Sequence, residues 1–165
     1  MGTKPYRKIQ FGTGRSRVFL GGIHTSSITP VGNITTGVDD LITATLEANA
    51  LYKNGAGIRI TAFGVTAANT NNKEVILVFG GTTILTTGVL AANNKPWWLT
   101  AIIQRQAVAV QQSIAWGMAN NLIVVPAFTA LTKDETSALI IKCTGEATST
   151  DDIIQEGLII EGLGV

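Results

Sequence analysis

The chain has 165 residues, of which 45% are hydrophobic and 14% charged, and its formal net charge is +1. That length suits one domain with a small appendage, and the charged share is well below the ~25% of typical soluble domains. Charges are too few to coat an independent monomer, so either Thr, Asn and Gly cover the surface or part of it is hidden against copies or a partner; the second is the expectation here.

In chain order, residues 1–17 come first, with Lys4, Arg7, Lys8, Arg15 and Arg17 and no acid. The remainder keeps seven bases against eleven acids, about −4, so a basic arm precedes a mildly acidic body. Such an arm is drawn to an acidic protein surface. Five charges alone are thin evidence for a nucleic-acid site, so nucleic acid is the less expected partner. Two short apolar patches, Ile9 to Phe11 and Val18 to Leu20, are suited to adding a strand to a neighbour. The apolar run after Arg17 is broken by Gly21 and Gly22, so no signal peptide is expected. No stretch approaches the roughly 18 apolar residues of a membrane span. The expected place of synthesis is the cytoplasm, followed by assembly into something larger.

From residue 38 onward the pattern is that of short strands. Gly, Asn and Thr cut the chain at intervals, and Thr, Val and Ile dominate between the cuts, as a pleated, half-buried surface requires. Residues 40–53 contain Leu41, Thr45 and Leu46 near helical spacing, but Thr43, Thr45 and the Asn54-Gly55 turn favour a strand. Ile58, Ile60 and Ala62 alternate with Arg59 and Thr61. Residues 75–79 are apolar throughout, a strand covered on both faces. Further strands are predicted near 97–105, 106–116, 121–128, 136–144 and 152–161. Eight to ten strands with turn signals every 8–12 residues predict an all-β, antiparallel β-sandwich, jelly-roll-like, with an extended N-terminal arm at 1–37 and the sandwich at 38–165.

Side chains that could carry chemistry are sparse. His24 is the single histidine and Cys143 the single cysteine, so neither a disulfide nor a His/Cys zinc site can be built, and no cofactor or metal is expected. Ser26 and Ser27 lie near His24 without the strand-to-helix elbow of a nucleophile. The pairs Asp39-Asp40, Asp134-Glu135 and Asp151-Asp152 sit beside turns, where Asp caps backbone amides. Trp97 and Trp98 follow Pro96, and on a strand one points inward and the other outward. Arg105 is the only charge between Lys95 and Lys133, so it needs a carboxylate from another strand or subunit. Trp97, Trp98 and Arg105 are the candidate oligomer-interface residues, and no catalytic residue is predicted.

The central block runs Asn49-Ala-Leu51-Tyr-Lys-Asn54-Gly55, then Ile58-Arg-Ile60, then Ala67-Ala-Asn69-Thr-Asn71-Asn72-Lys73. It leads into Val75-Ile-Leu77-Val-Phe79-Gly80-Gly81-Thr82-Thr83-Ile84, and Asp151-Asp152-Ile153-Ile154 and Leu158-Ile-Ile160-Glu161 follow near the end. This succession resembles a β-sandwich domain of tailed-bacteriophage structural proteins, among them head-decoration, head-fibre and tail-fibre components. The resemblance covers roughly residues 38–162. Its most specific piece is the Ala-Asn-x-Asn-x-Lys turn before the Phe-Gly-Gly strand. It implies a jelly-roll-like domain that trimerises and is displayed on a virion. Such domains often end a longer fibre, whereas here only about 37 residues precede the domain. A small protein docked directly on a shell is therefore expected. Its partners would be copies of itself and the major capsid protein or another virion protein, the latter gripped by Lys4, Arg7, Lys8, Arg15 and Arg17. The alternative is a receptor- or glycan-binding tip of a tail fibre or baseplate.

Overall fold

A computed structural model describes residues 22–34 and 36–164. Among them run eleven strands: β1 Gly22–Ser27, β2 Val31–Gly32, β3 Val38–Leu46, β4 Gly57–Thr66, β5 Lys73–Phe79, β6 Thr82–Thr86, β7 Pro96–Ala107, β8 Val110–Ala119, β9 Leu122–Leu131, β10 Leu139–Ala147 and β11 Ile153–Leu163. They form two antiparallel sheets. The larger has the order β1-β11-β4-β7-β8-β9 with β2 also on β11, and the smaller has β3-β10-β5-β6. The chain is an all-β sandwich. Late strands close on early ones, β10 between β3 and β5 and β11 beside β4, while β7, β8 and β9 run as a meander.

The hairpins follow from their turn residues. Phe79 pairs with Thr82 across Gly80 and Gly81, both at positive φ (53° and 80°), the left-handed pair that a two-residue turn needs. Asn120 and Asn121, at 52° and 62°, do the same between Ala119 and Leu122. In the Asn69–Asn72 turn, by contrast, no residue is left-handed. It is held by side-chain capping instead, the Asn71 amide donating to Asn69 Oδ1 at 3.1 Å.

The core lies between the sheets. Ile58, Ile60, Leu99, Ile103 and Ile160 of the larger sheet meet Leu77, Phe79, Ile141 and Cys143 of the smaller, all fully buried. Each such side chain stabilises the fold by about 1.5–3 kcal/mol relative to exposure. Gln155 of β11 reaches across: its Oε1 accepts the Ile42 amide at 2.9 Å, beside the break in register between β3 and β10. A donor left loose by that irregularity is thereby satisfied inside the core.

The arm boundary needs correction. Residues 22–34 belong to the sandwich rather than to the appendage. β1 pairs with β11 from Gly22↔Gly162 to Ser27↔Leu158, and Val31 and Gly32 pair with Gln155 and Ile154. Asn33 is fully buried and clamps this segment: Oδ1 accepts the Ile153 amide at 2.9 Å, and Nδ2 donates to the Ser149 carbonyl at 2.8 Å.

Candidate functional site

The five basic residues proposed for attachment, Lys4, Arg7, Lys8, Arg15 and Arg17, lie outside the described residues, as do Ile9 to Phe11 and Val18 to Leu20. The three interface candidates separate. Trp97 faces inward at 2% exposure, its indole against Gly64 of the paired strand β4. A side chain spent in the core offers nothing to a partner subunit, so Trp97 is a core residue. Gly64 makes room for it: a Cβ there would stand 2.7 Å from the ring and would strike the Ile154 carbonyl. Trp98 points to the outer face of the larger sheet and is half-buried, with Met118 opposite it on β8 and Phe63 on β4.

Arg105 also turns inward, so it too is corrected from interface to interior. Its Nε lies 2.9 Å from Glu135 Oε1, with side-chain exposures of 10% and 4%, and Nη1 donates to the Leu51 carbonyl at 3.0 Å. Glu135 further accepts the Ala109 amide at 2.9 Å and Gln111 Nε2 at 3.1 Å. Ala109 sits at φ 53°, a left-handed backbone unusual for an L-residue, and the carboxylate holds it. One ion pair thus ties the 47–56 segment, the β7–β8 hairpin and the loop before β10. The partner that the sequence demanded for Arg105 comes from the same chain.

At the other end of the sandwich a second polar cluster forms around Asp152, 1% exposed. Its carboxylate accepts Asn69 Nδ2 at 2.6 Å, Asn71 Nδ2 at 3.0 Å and the Ser149 amide at 2.8 Å. Lys73 Nζ donates to Asn69 Oδ1 at 2.7 Å and to the Asn71 carbonyl at 2.9 Å. Burial pushes the Asp152 carboxyl up; the bonds from Asn69, Asn71 and Ser149 and the nearby Lys73 charge outweigh it and hold the group below the usual carboxylate range. Burial lowers Lys73, and Asp152 opposes that in part. Both clusters are internally satisfied and act as corner locks.

The other carboxylates behave as caps and surface pairs. Asp134 Oδ1 accepts the Thr136 amide at 3.0 Å, and Asp39 Oδ2 accepts the Ile34 amide at 2.9 Å. Asp40 pairs with Lys142, and Arg59 with Glu161. Among the described residues no group of three or more His, Cys, Asp or Glu gathers as a metal site would require. Cys143 is fully buried in apolar surroundings, and burial pushes its thiol up to about 12.

Among the described residues, an apolar surface lies on the outer face of β7, β8 and β9. Register places Phe128 beside Ile114 and Ile114 beside Ile102 in one row across the sheet. Ile123, Met118, Trp98 and Phe63 form a second row. Trp116 stands opposite Thr100 between them. Phe128 is 69% exposed, Ile123 80% and Ile114 46%. Of this face sequence reasoning named Trp98 alone, although its wider sign was visible: between Lys95 and Lys133 only Arg105 is charged, and Arg105 points inward.

No family model matches the chain, and no curated protein matches it. Among solved structures it is similar to the CBM2 module of the evolved Dit of Lactobacillus casei BL23 phage J-1. The identity is 8%, the match covers 82% of this chain and 76% of that chain, and the TM-score is 0.36. So loose a superposition carries no argument about what this chain binds or builds.

Proposed function

We propose that the chain is a structural virion protein of a tailed phage, a head-decoration or head-fibre protein that self-associates, as a trimer by the resemblance, and is anchored to the shell by its basic N-terminal arm. The observation that carries this reading is the division of labour along the chain. Five bases and no acids occupy residues 1–17, ahead of a sandwich whose buried charged side chains, Lys73, Arg105, Glu135 and Asp152, are engaged in corner locks. Charged arms find oppositely charged surfaces, and Arg is well matched to carboxylates on such a shell. The resemblance of residues 38–162 to phage structural domains supports the same reading. No enzymatic role is proposed. Particles carrying a chain without residues 1–20 test the idea: the truncated protein should fold yet be missing from purified virions, and its retention on them would contradict the anchor.

A second reading, a glycan- or receptor-binding tip, draws on one feature. Phe63, Trp98 and Trp116 share the outer face of the larger sheet, and indole faces stack on sugar rings. Binding of a host-surface glycan that is lost in Trp98→Ala would favour this reading over the first. Trp97→Ala is no test of it, because that side chain is in the core.

A further inference from the structure

We propose that the outer face of β8 and β9 is the surface through which copies of this chain meet. Phe128, Ile123, Val125 and Ile114 are all at least 46% exposed there. Together they leave on the order of 500 Å² of apolar surface open, in the upper part of what a monomer carries. That approaches the roughly 800 Å² that each partner contributes to a standard stable interface. Around the edge of the sheet, Ile123 and Val125 also line a groove of about 420 Å³ between the edge strands β6 and β9.

Two features favour a second copy as the occupant. The face has no ionisable group: β8 and β9 contain none, and Arg105, the one on β7, is turned inward to Glu135. Where copies meet about a rotation axis, the residues nearest the axis confront their own kind, so a charge placed there would be repelled. A neutral apolar face avoids that repulsion, whereas charged partners are recognised by complementary charge. The second feature is the chain-wide charge share of 14%, too small to solvate a lone particle fully.

Contact is made by side chains rather than by extending the sheet. Pro126 lies within the edge strand β9 and brings no amide hydrogen, and the β8–β9 register is irregular between Ala115 and Gly117. Both devices blunt an edge against strand addition.

The inference rests on the assembly reading above, but its test uses the isolated protein, so it can fail while attachment to particles stands, and the reverse. Sedimentation equilibrium of the full chain at tens of micromolar should give a multiple of 17.3 kDa. The double variant Phe128→Lys/Ile123→Lys should sediment as the monomer with an unchanged circular-dichroism spectrum. Ile23→Lys/Ile28→Lys, at exposed sites on β1 and just after it, should keep the wild-type mass. A wild-type monomer, or a β9 double variant that keeps the wild-type mass, would overturn the proposal. Should the β9 variant unfold, a benzophenone side chain in place of Phe128 gives a separate reading. Irradiation should then link copies of the chain, and absence of linked copies would overturn the proposal equally.

Discussion

Arg105 and Glu135 form a buried ion pair across 30 residues of sequence, Nε to Oε1 at 2.9 Å, and the same carboxylate holds the left-handed Ala109 amide. Removing one partner of such a pair leaves an uncompensated charge in the interior. Glu135→Ala should therefore cost about 3–5 kcal/mol. Urea unfolding monitored by tryptophan fluorescence measures this. Replacing both partners by apolar residues, as in Arg105→Met/Glu135→Leu, should recover only the part due to the stranded charge, because the Ala109 amide and the Leu51 carbonyl still lose their partners.

Gly64 and Trp97 are a matched pair across β4 and β7. Gly64→Ala drives a methyl group into the indole and toward the Ile154 carbonyl. Overpacking of this kind costs roughly 1–3 kcal/mol, and a backbone obstacle places this site at the upper end. A lowered urea midpoint with an altered near-ultraviolet tryptophan signal is the expected result. Gly81→Ala meets no neighbouring atom but sits at φ 80°, so it should destabilise through backbone strain and leave that signal unchanged.

Asp152, the buried member of the carboxylates held below their usual range (with Asp134 and Glu161), should contribute to the pH response at the acid end. Its folded-state value is depressed, so its contribution is present above the ordinary carboxylate value of about 4 and is lost as pH falls through the folded value. Stability should drop steeply below pH ~4, and Asp152→Asn should flatten that drop while lowering stability at neutral pH. Unfolding curves at several pH values, wild type against variant, decide it.

Cys143 should be silent to thiol reagents in the folded protein. Its thiol is fully buried and pushed up to about 12, so almost no thiolate exists at neutral pH. Reaction with a disulfide reagent should appear only on unfolding, at the rate at which the sandwich opens.

Truncation maps the true edge of the domain. Removing residues 1–20 should leave the melting temperature within a few degrees of the full chain. Removing 1–37 should lower it sharply, because it strips β1 and β2 from β11 and deletes the Asn33 clamp.

The strands were legible because alternation and turn residues act locally. The windows near 97–105, 106–116 and 152–161 correspond to β7, β8 and β11, and the ambiguous 40–53 stretch became β3 followed by a turn. What escaped was long-range. β1 reads Gly-Ile-His-Thr-Ser-Ser, with no apolar alternation to announce it, and it is a strand only because β11 offers an edge. Alternation predicts that one of Trp97 and Trp98 is buried, but the register against Gly64 selects which. Arg105 advertised the need for a carboxylate; its identity as Glu135 depends on how the loop before β10 folds back. The outer apolar face combines three strands whose neighbourhood only the sheet order reveals.

Electron microscopy of intact particles, at a resolution that traces this sandwich, tests the central claim most directly. The account predicts many copies over the head, in contact through β8 and β9, with the N-terminal arm running onto the shell. Particles that lack the chain, or that carry it only at the tip of the tail, would contradict it.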